Sequence, residues 1–302
     1  MGMTSLAGIQ TTYKRAPRKA QPLNPRRPSL LKKRATLTRG MAAFLRSRVP
    51  DMARQVGAQL DRRGLRKAVV PDEELSAIEA IVAGVDFAGW SILVGEIEGM
   101  LADIVRDGTV HAMLQVGIDV EARKEVMNVV NRYAVEYAKQ RAAEMVGMRV
   151  DALGTLIPNP RAEWQITEST RGYLRAAVRE AIAEGWSNDT LAAKIAQSYG
   201  FSKERAMVIS RTETIRASNA GSLESYKVSG LVKAKEWLTA EDDKVTPDCV
   251  LNGEAGPVGL DRAFPSGAMA PPDHPNCRCT IVPVVDWTAV DNIPAITPES
   301  QP

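Results

Sequence analysis

A nine-residue segment near the end of the chain, residues 271–279, constrains the fold more than any other stretch. It reads Pro-Pro-Asp-His-Pro-Asn-Cys-Arg-Cys and holds two of the three cysteines and one of the two histidines among 302 residues. Its three prolines fix φ at about −65° and push each preceding residue toward extended conformations, so we expect a non-helical loop. In an extended chain, residues i and i+2 point to the same side. Cys277 and Cys279 should therefore face one way and Arg278 the other, which suits a metal ion or a disulfide partner.

The rest of the chain predicts a mainly α protein with a small C-terminal β-rich module, an α+β arrangement. Aromatic residues are only 5% of the chain, and β-branched residues are concentrated late, which favours helices over most of its length. Apolar residues recur at helical spacing in the first half, and capping signals delimit three further helices. After Gly230 the pattern indicates two strands and a tight turn at Asn252-Gly253. The predicted helices cover about 38–59, 71–117, 120–146, 167–184, 189–199 and 203–228, and the strands 233–239 and 280–285.

These patterns predict four parts along the chain. Residues 1–35 mix basic residues with prolines and should form a disordered basic arm. Residues 36–157 form a helical N-terminal domain, which the helix-breaking run 156–160 separates from the next. The second domain, 158–285, combines three helices over 167–228 with a β-rich Cys/His module over 231–285. Residues 286–302 are a C-terminal tail.

The basic arm gives the chain a strong charge asymmetry. Residues 1–50 contain twelve Lys or Arg and no acid, so with a net charge of +3 the remainder carries −9. Such an arm is either a solvated tail or a segment that lies on a polyanion, which would be nucleic acid or an acidic protein surface. The expected polyanion-binding residues are Lys14, Arg15, Arg18, Lys19, Arg26, Arg27, Lys32, Lys33 and Arg34.

An odd cysteine count argues against a disulfide framework and favours a reducing compartment. Three acids interrupt the most apolar stretch, residues 78–97, so no membrane span or membrane partner is predicted. The three cysteines and one histidine instead form a Cys₃His set, whose composition suits tetrahedral structural zinc. Free thiols and a disulfide of Cys249 are the alternatives. The candidate ligands are Cys249, His274, Cys277 and Cys279.

Polar residues on the helix predicted over 203–228 form a second candidate group. Thr212, Arg216 and Asn219 share one face, where they should hydrogen-bond to backbone groups of the β-module. On a neighbouring face, we expect Arg211 and Glu213 to hold the loop that contains Asp242 and Asp243. We interpret the group as a structural latch with no catalytic residues, made of Arg211, Thr212, Glu213, Arg216, Asn219, Trp237, Asp242 and Asp243.

Five separated patches, in order along the chain, resemble the phage head-morphogenesis domain of Mu F-like minor head proteins. They are residues 209–214, residues 217–219, residues 237–242, Cys249 with Asn252-Gly253, and residues 271–279. The resemblance covers roughly 165–285. It implies a minor virion component that associates with the portal and procapsid and acts in head assembly and DNA delivery. Family members commonly carry a further cysteine three residues before Cys249, where this chain has Thr246.

The leading hypothesis is therefore a non-enzymatic minor head protein of a tailed phage or prophage. It would be assembled in the bacterial cytoplasm, dock on the portal or the major capsid protein, reside in the virion head and contact packaged DNA through its arm. The alternatives are a metal-dependent nuclease, a toxin-like transferase and a zinc-ribbon nucleic-acid-binding protein. A closed set of four protein ligands argues against catalytic zinc, which keeps an open position. A paired-histidine nuclease also lacks its second histidine nearby, because His111 lies in another predicted domain.

Overall fold

A computed structural model describes residues 27–65, 71–118 and 124–286. Within these residues the fold is mainly α with small antiparallel sheets, as predicted from the sequence. In chain order the elements are α1 (Pro28–Arg63), α2 (Pro71–Ala83), α3 (Ile92–Gln115), α4 (Lys124–Met145), β1 (Met148–Val150), β2 (Leu156–Pro158), α5 (Ile166–Glu184), α6 (Asn188–Gln197), α7 (Lys203–Ser229), β3 (Val232–Leu238), α8 (Pro247–Glu254), β4 (Val258–Gly259) and β5 (Thr280–Val285).

The chain divides into two compact units. Among the described residues, the module unit consists of 27–34, 101–118, 124–137 and 211–286, and the hairpin unit consists of 35–65, 71–100 and 138–210. The domain boundary expected at residues 156–160 falls at strand β2, inside the hairpin unit. The four parts predicted from the sequence stay predictions. No described helix is by itself long and apolar enough to cross a membrane, although the bent pair Leu75–Ala83 and Ala88–Gln115 has sufficient length and apolar content.

The hairpin unit contains an element that the sequence did not indicate. Strands β1 and β2 pair antiparallel, with Arg149 opposite Ile157, where only a break in the helical pattern was expected. The Asp151 carboxylate accepts bonds from the backbone N–H groups of Leu153 and Thr155 and so closes the turn. Short strands of this kind carry little periodicity, which explains why the pattern was missed.

The module unit contains a close crossing between α3 and α7. A Cβ atom on Gly108 would overlap the backbone of Ser218, and a Cβ atom on Gly221 would overlap the Val105 carbonyl oxygen. The two helices therefore approach backbone to backbone at this point. Near the crossing, the Ser225 hydroxyl donates to the Gly221 carbonyl in its own helix.

A three-stranded antiparallel sheet in the order β4-β3-β5 packs on this pair of helices in the same unit. Strand β5 covers the residues predicted for it, and β3 begins one residue earlier than predicted. Trp237 lies opposite Ile281 in the ladder and packs edge-on against Phe264, with ring centroids 5.1 Å apart. The buried Tyr226 hydroxyl donates to Gln115 Oε1 at 3.1 Å, which links α7 to α3.

Three local predictions are corrected by the structure. The helix predicted over 71–117 is broken into α2 and α3. Asn252 and Gly253 lie inside α8 and do not form a tight turn. The helix begins because Thr246 is extended and Pro247 occupies the first turn, where its fixed φ suits a helix start. Helix α1 also begins at Pro28, so residues 28–35 are helical and do not belong to a disordered arm, whereas residues 1–26 lie outside the described part of the chain.

The helix crossing generates a stability prediction with opposite signs at two glycines of α3. Gly108→Ala should lower the free energy of unfolding by about 1–3 kcal/mol, because the added methyl group meets backbone atoms that cannot move aside. Gly99→Ala should raise it by about 0.5–1 kcal/mol, since nothing lies within 4 Å of a Cβ atom there. Urea titrations of the full chain would measure both, and a stabilised Gly108→Ala variant would contradict the close approach.

Candidate metal centre

The structure brings the three cysteines and His274 together in the core of the module unit. The sulfur atoms of Cys249 and Cys277 lie 3.8 Å apart, and the ligand atoms of Cys249, His274 and Cys277 lie within 4.8 Å of one another. Cys279 completes the group through a side-chain hydrogen bond to Cys277. All three cysteines are at most 2% exposed, and His274 is half-buried. Cys249, His274 and Cys277 therefore form a cluster that can hold a metal ion, and Cys279 is buried beside it.

Two elements deliver these side chains. Helix α8 buries Cys249 and Asn252 on its inner face, and the Asn252 amide is fixed by two hydrogen bonds to Ser266 at 2.8 and 3.0 Å. The loop before β5 supplies the other three ligands. In that loop the Cys277 N–H donates to the His274 carbonyl at 3.2 Å, which folds the histidine back toward the cysteines.

The alternation predicted for the Cys-Arg-Cys segment is present. Cys277 and Cys279 are buried, whereas Arg278 points away from them and donates to Asp242 Oδ1 at 2.6 Å. This hydrogen bond, followed by one from the Lys244 backbone, lowers the pKa of the Asp242 carboxyl group. The ion pair thus holds the loop after β3 to the loop that precedes β5.

The tautomer of His274 suits metal binding. Its Nδ1 atom lies 2.9 Å from the Pro275 carbonyl oxygen, which can only accept a hydrogen bond. Nδ1 therefore carries a proton, which leaves Nε2 as the ring nitrogen that could bind a metal. A backbone carbonyl that orients the second ring nitrogen is the usual outer partner of a ligating histidine.

The sulfur atoms differ in acidity because of their environments. A hydrogen bond from the Cys279 thiol lowers the pKa of Cys277 to about 5, and donating this bond raises the pKa of Cys279. Burial raises the pKa of Cys249 to about 11. Cys277 is therefore the most acidic of the three thiols, and a metal ion that bound the cluster would displace the protons that its sulfur atoms still carry.

Two neutral donors face the sulfur atoms. The Thr246 hydroxyl lies near Cys249, and the Trp237 indole N–H lies near Cys279. Both donor atoms are buried and make no hydrogen bond in the part of the chain that the structure describes. Thr246, at the position where the family commonly has a cysteine, is thus a neighbour of the cluster and does not supply a fourth sulfur.

The polar stripe of α7 contacts backbone groups of the module. Thr212 Oγ1 accepts a hydrogen bond from the Asn276 N–H at 2.8 Å. Asn219 Oδ1 accepts bonds from the Ile281 N–H at 3.0 Å and from the Thr280 hydroxyl at 2.9 Å. Asn219 also donates to the Ile215 carbonyl in its own helix. These bonds run from α7 to the Cys/His loop and to the first residues of β5.

The expected pairing between Arg211 and the loop of Asp242 is corrected by the structure. Arg211 instead donates to Asn276 Oδ1 at 2.7 Å, and Asp242 pairs with Arg278. Arg278 is the nearer cation because the alternation of the Cys-Arg-Cys segment turns it outward to this loop. Elsewhere in the predicted latch, Glu213 is buried 3.9 Å from Arg216, Trp237 lies in the core, and Asp243 is exposed.

Sequence reasoning overlooked Asn276, which α7 contacts twice. Its φ of 66° is in the left-handed region, which asparagine tolerates better than other non-glycine residues. An asparagine directly before the Cys-x-Cys pair was the available signal. Arg278 is the second such residue. The sequence predicted that it points away from the cysteines, but it did not predict its pairing with Asp242.

Four residues predicted for the polyanion-binding arm lie in described structure. Arg27 Nε donates to Asp107 Oδ2 at 2.8 Å, and Lys33 Nζ donates to the Asp103 carbonyl at 2.9 Å. Burial lowers the pKa of Arg34, with a smaller contribution from Arg211, and Lys32 lies in α1 as well. These residues therefore belong to the folded module unit. The remaining predicted residues, Lys14, Arg15, Arg18, Lys19 and Arg26, lie outside the described part of the chain.

Residues 173–282 match the family model described as Phage Mu protein F like protein. These residues form a Mu F-like domain. The match confirms the resemblance drawn from the five motifs, and it includes α7, strands β3 and β4, the start of β5 and all four candidate ligands. A domain of this family indicates a phage head-morphogenesis protein.

A relative, the "Uncharacterized protein YqbB" of Bacillus subtilis (strain 168), is 29% identical over 131 residues. The aligned part is 39% of this chain and 43% of that protein, so the chain spans less than half the length of this relative. No solved structure matches the chain. The Mu F-like domain therefore carries the functional argument.

The hydrogen bonds of Asn219 generate a second stability prediction. Asn219→Leu should lower the free energy of unfolding by about 2–4 kcal/mol, because it leaves the buried donors of Thr280 and Ile281 without an acceptor. Asn131→Leu is the matched control: Asn131 is half-buried in the same unit and accepts from Arg106, so its loss should cost about 1 kcal/mol or less. If urea titrations showed that both variants lower the free energy of unfolding equally, a special role for Asn219 would be contradicted.

Proposed function

We propose that this chain is a minor head protein of a tailed phage or prophage, that it acts in head assembly and that it resides in the virion. The match of residues 173–282 to the Mu F-like family is the observation that carries this proposal. The proposed partner is the portal protein or the major capsid protein. The relative YqbB is uncharacterized and adds no function.

The geometry of the Cys/His cluster supports a structural role for the Mu F-like domain. Three of the four candidate ligands are fully buried, and four protein ligands would leave no open position for a substrate. We propose that Cys249, His274, Cys277 and Cys279 hold a zinc ion. A bound zinc ion would neutralise the thiolates and join α8 to the loop before β5.

The contacts of α7 support a latch that acts with this centre. Thr212 and Arg211 hold Asn276, and Asn219 holds the start of β5, so α7 fixes both ends of the segment that supplies the last two sulfurs. In this proposal the domain is a rigid unit whose outer surfaces bind other head proteins. Contact with packaged DNA through residues 1–26 stays a prediction.

The zinc proposal is tested by metal analysis of the purified full chain. We expect one zinc ion per chain, and chelation should lower the free energy of unfolding by about 4 kcal/mol if free zinc is near a thousand times its dissociation constant. His274→Ala should lose the metal, whereas His111→Ala, which changes the other histidine of the chain, should retain it. The proposal would be refuted if the purified chain contained no metal and if neither zinc nor a chelator changed its melting temperature.

The head-assembly proposal is tested by composition of purified particles. The chain should copurify with the portal protein in heads from an induced lysogen or a phage infection, and antibody labelling should place it in the head. The proposal would be refuted if heads assembled normally and all of this chain remained in the unassembled fraction.

A further inference from the structure

Helix α8 exposes its aliphatic residues and buries its polar ones. Its inner face consists of Cys249 and Asn252, both fully buried, whereas Val250 is 41% exposed and Leu251 is 49% exposed. A surface helix normally turns its apolar residues inward, because burying a valine or leucine side chain contributes about 1.5–3 kcal/mol. Here the inward positions are taken by a candidate metal ligand and by an amide, and two adjacent aliphatic side chains are left to solvent.

The outward face of α8 is held in a fixed position. Asn252 makes two hydrogen bonds to Ser266, and the Ser266 hydroxyl donates to Asp273 at 2.7 Å. A Cβ atom on Gly253 would lie 3.1 Å from Thr239 Cγ2, so α8 passes close to the residue that follows β3. A partner that binds Val250 and Leu251 therefore meets a preformed surface and needs little ordering of this helix, which favours affinity.

Acidic residues surround the aliphatic pair. Asp248 and Glu254 are exposed at the two ends of the same helix face. The segment 241–254 contains five acidic residues and only one basic residue, Lys244, and of the acids Asp242 is neutralised by Arg278. This charge repels acidic partners and nucleic acid, and it attracts a surface that carries lysine or arginine.

We propose that the outward face of α8, formed by Asp248, Val250, Leu251 and Glu254, docks on another protein of the phage head that presents an apolar side chain surrounded by basic residues. The inference rests on the proposed function, because it assigns the docking surface of the Mu F-like domain. Val250 and Leu251 are the central apolar contact, and the two carboxylates select the partner and orient it. Apolar centres with charged rims are typical of specific protein interfaces.

The test measures how much of each variant enters purified heads. The double variant Val250→Gln/Leu251→Gln should reduce incorporation at least tenfold relative to the unchanged chain. The matched control is Val135→Gln/Leu114→Gln, which replaces a valine 45% exposed and a leucine 50% exposed on helices of the same unit. We expect the control to enter heads like the unchanged chain. Equal incorporation of both double variants, high or low, would overturn the proposal.

Charge is tested by a second matched pair. Glu254→Lys should lower incorporation about fivefold, and Glu136→Lys, at an exposed position of α4, should leave it unchanged. Added salt should reduce the difference in incorporation between the Glu254→Lys variant and the unchanged chain, because salt screens exposed charges. A Glu254→Lys variant that enters heads like Glu136→Lys would refute the basic partner.

Two measurements on the purified chain identify other occupants of the face. If a segment of the same chain covers it, Val250→Gln/Leu251→Gln will lower the melting temperature more than the control variant does. If a second copy covers it, sedimentation will show a dimer that the variant dissociates. Either result would overturn docking on a different head protein. Absence of the unchanged chain from heads would refute the proposed function as well, whereas its presence with normal incorporation of the α8 variants would refute only the docking surface.

Discussion

The two hydrogen bonds that α7 makes to Asn276 determine where the Cys/His loop lies. The backbone N–H of Asn276 donates to Thr212, and its side-chain oxygen accepts from Arg211. Asn276 stands between His274 and Cys277, so fixing it fixes the histidine on one side and the sulfur on the other. Because its φ is positive, the chain reverses direction here and returns toward α8. The loop is thereby positioned by protein contacts, which reduces the ordering that a metal ion must impose on binding.

Much of the fold could be predicted from local signals. Gly185 and Gly230 end α5 and α7 in left-handed conformations, with φ of 65° and 70°, as expected for helix ends. Ser187 caps α6 by accepting from the Thr190 N–H at 3.1 Å. The candidate ligands were recognisable because cysteine and histidine are rare in this chain, and rare residues that cluster in a stiff loop indicate a shared role.

The missed features depend on contacts between residues far apart in the chain. Asn252-Gly253 has the local signature of a turn, yet the Asn252 amide pairs with Ser266, fourteen residues away, and the segment is helical. The need for glycine at Gly108 is likewise set by Ser218 on another helix. Arg211 was expected to pair with Asp242, but the Asp242 carboxylate pairs with Arg278. Sequence spacing alone does not show which of two arginines lies closer to a given carboxylate.

The Cys/His cluster also explains why aliphatic residues of α8 are available at the surface. The β-rich segment shares its apolar core with α3 and α7, and the three cysteines occupy positions in that core. Cys249 and Asn252 fill the inner face of α8, where Asn252 hydrogen-bonds to Ser266 and Cys249 is a candidate metal ligand, so the helix buries no aliphatic residue there. Val250 and Leu251 then add little to the stability of the domain. Adjacent exposed aliphatic side chains carry a cost in solubility, and the docking that we propose for this face would offset that cost.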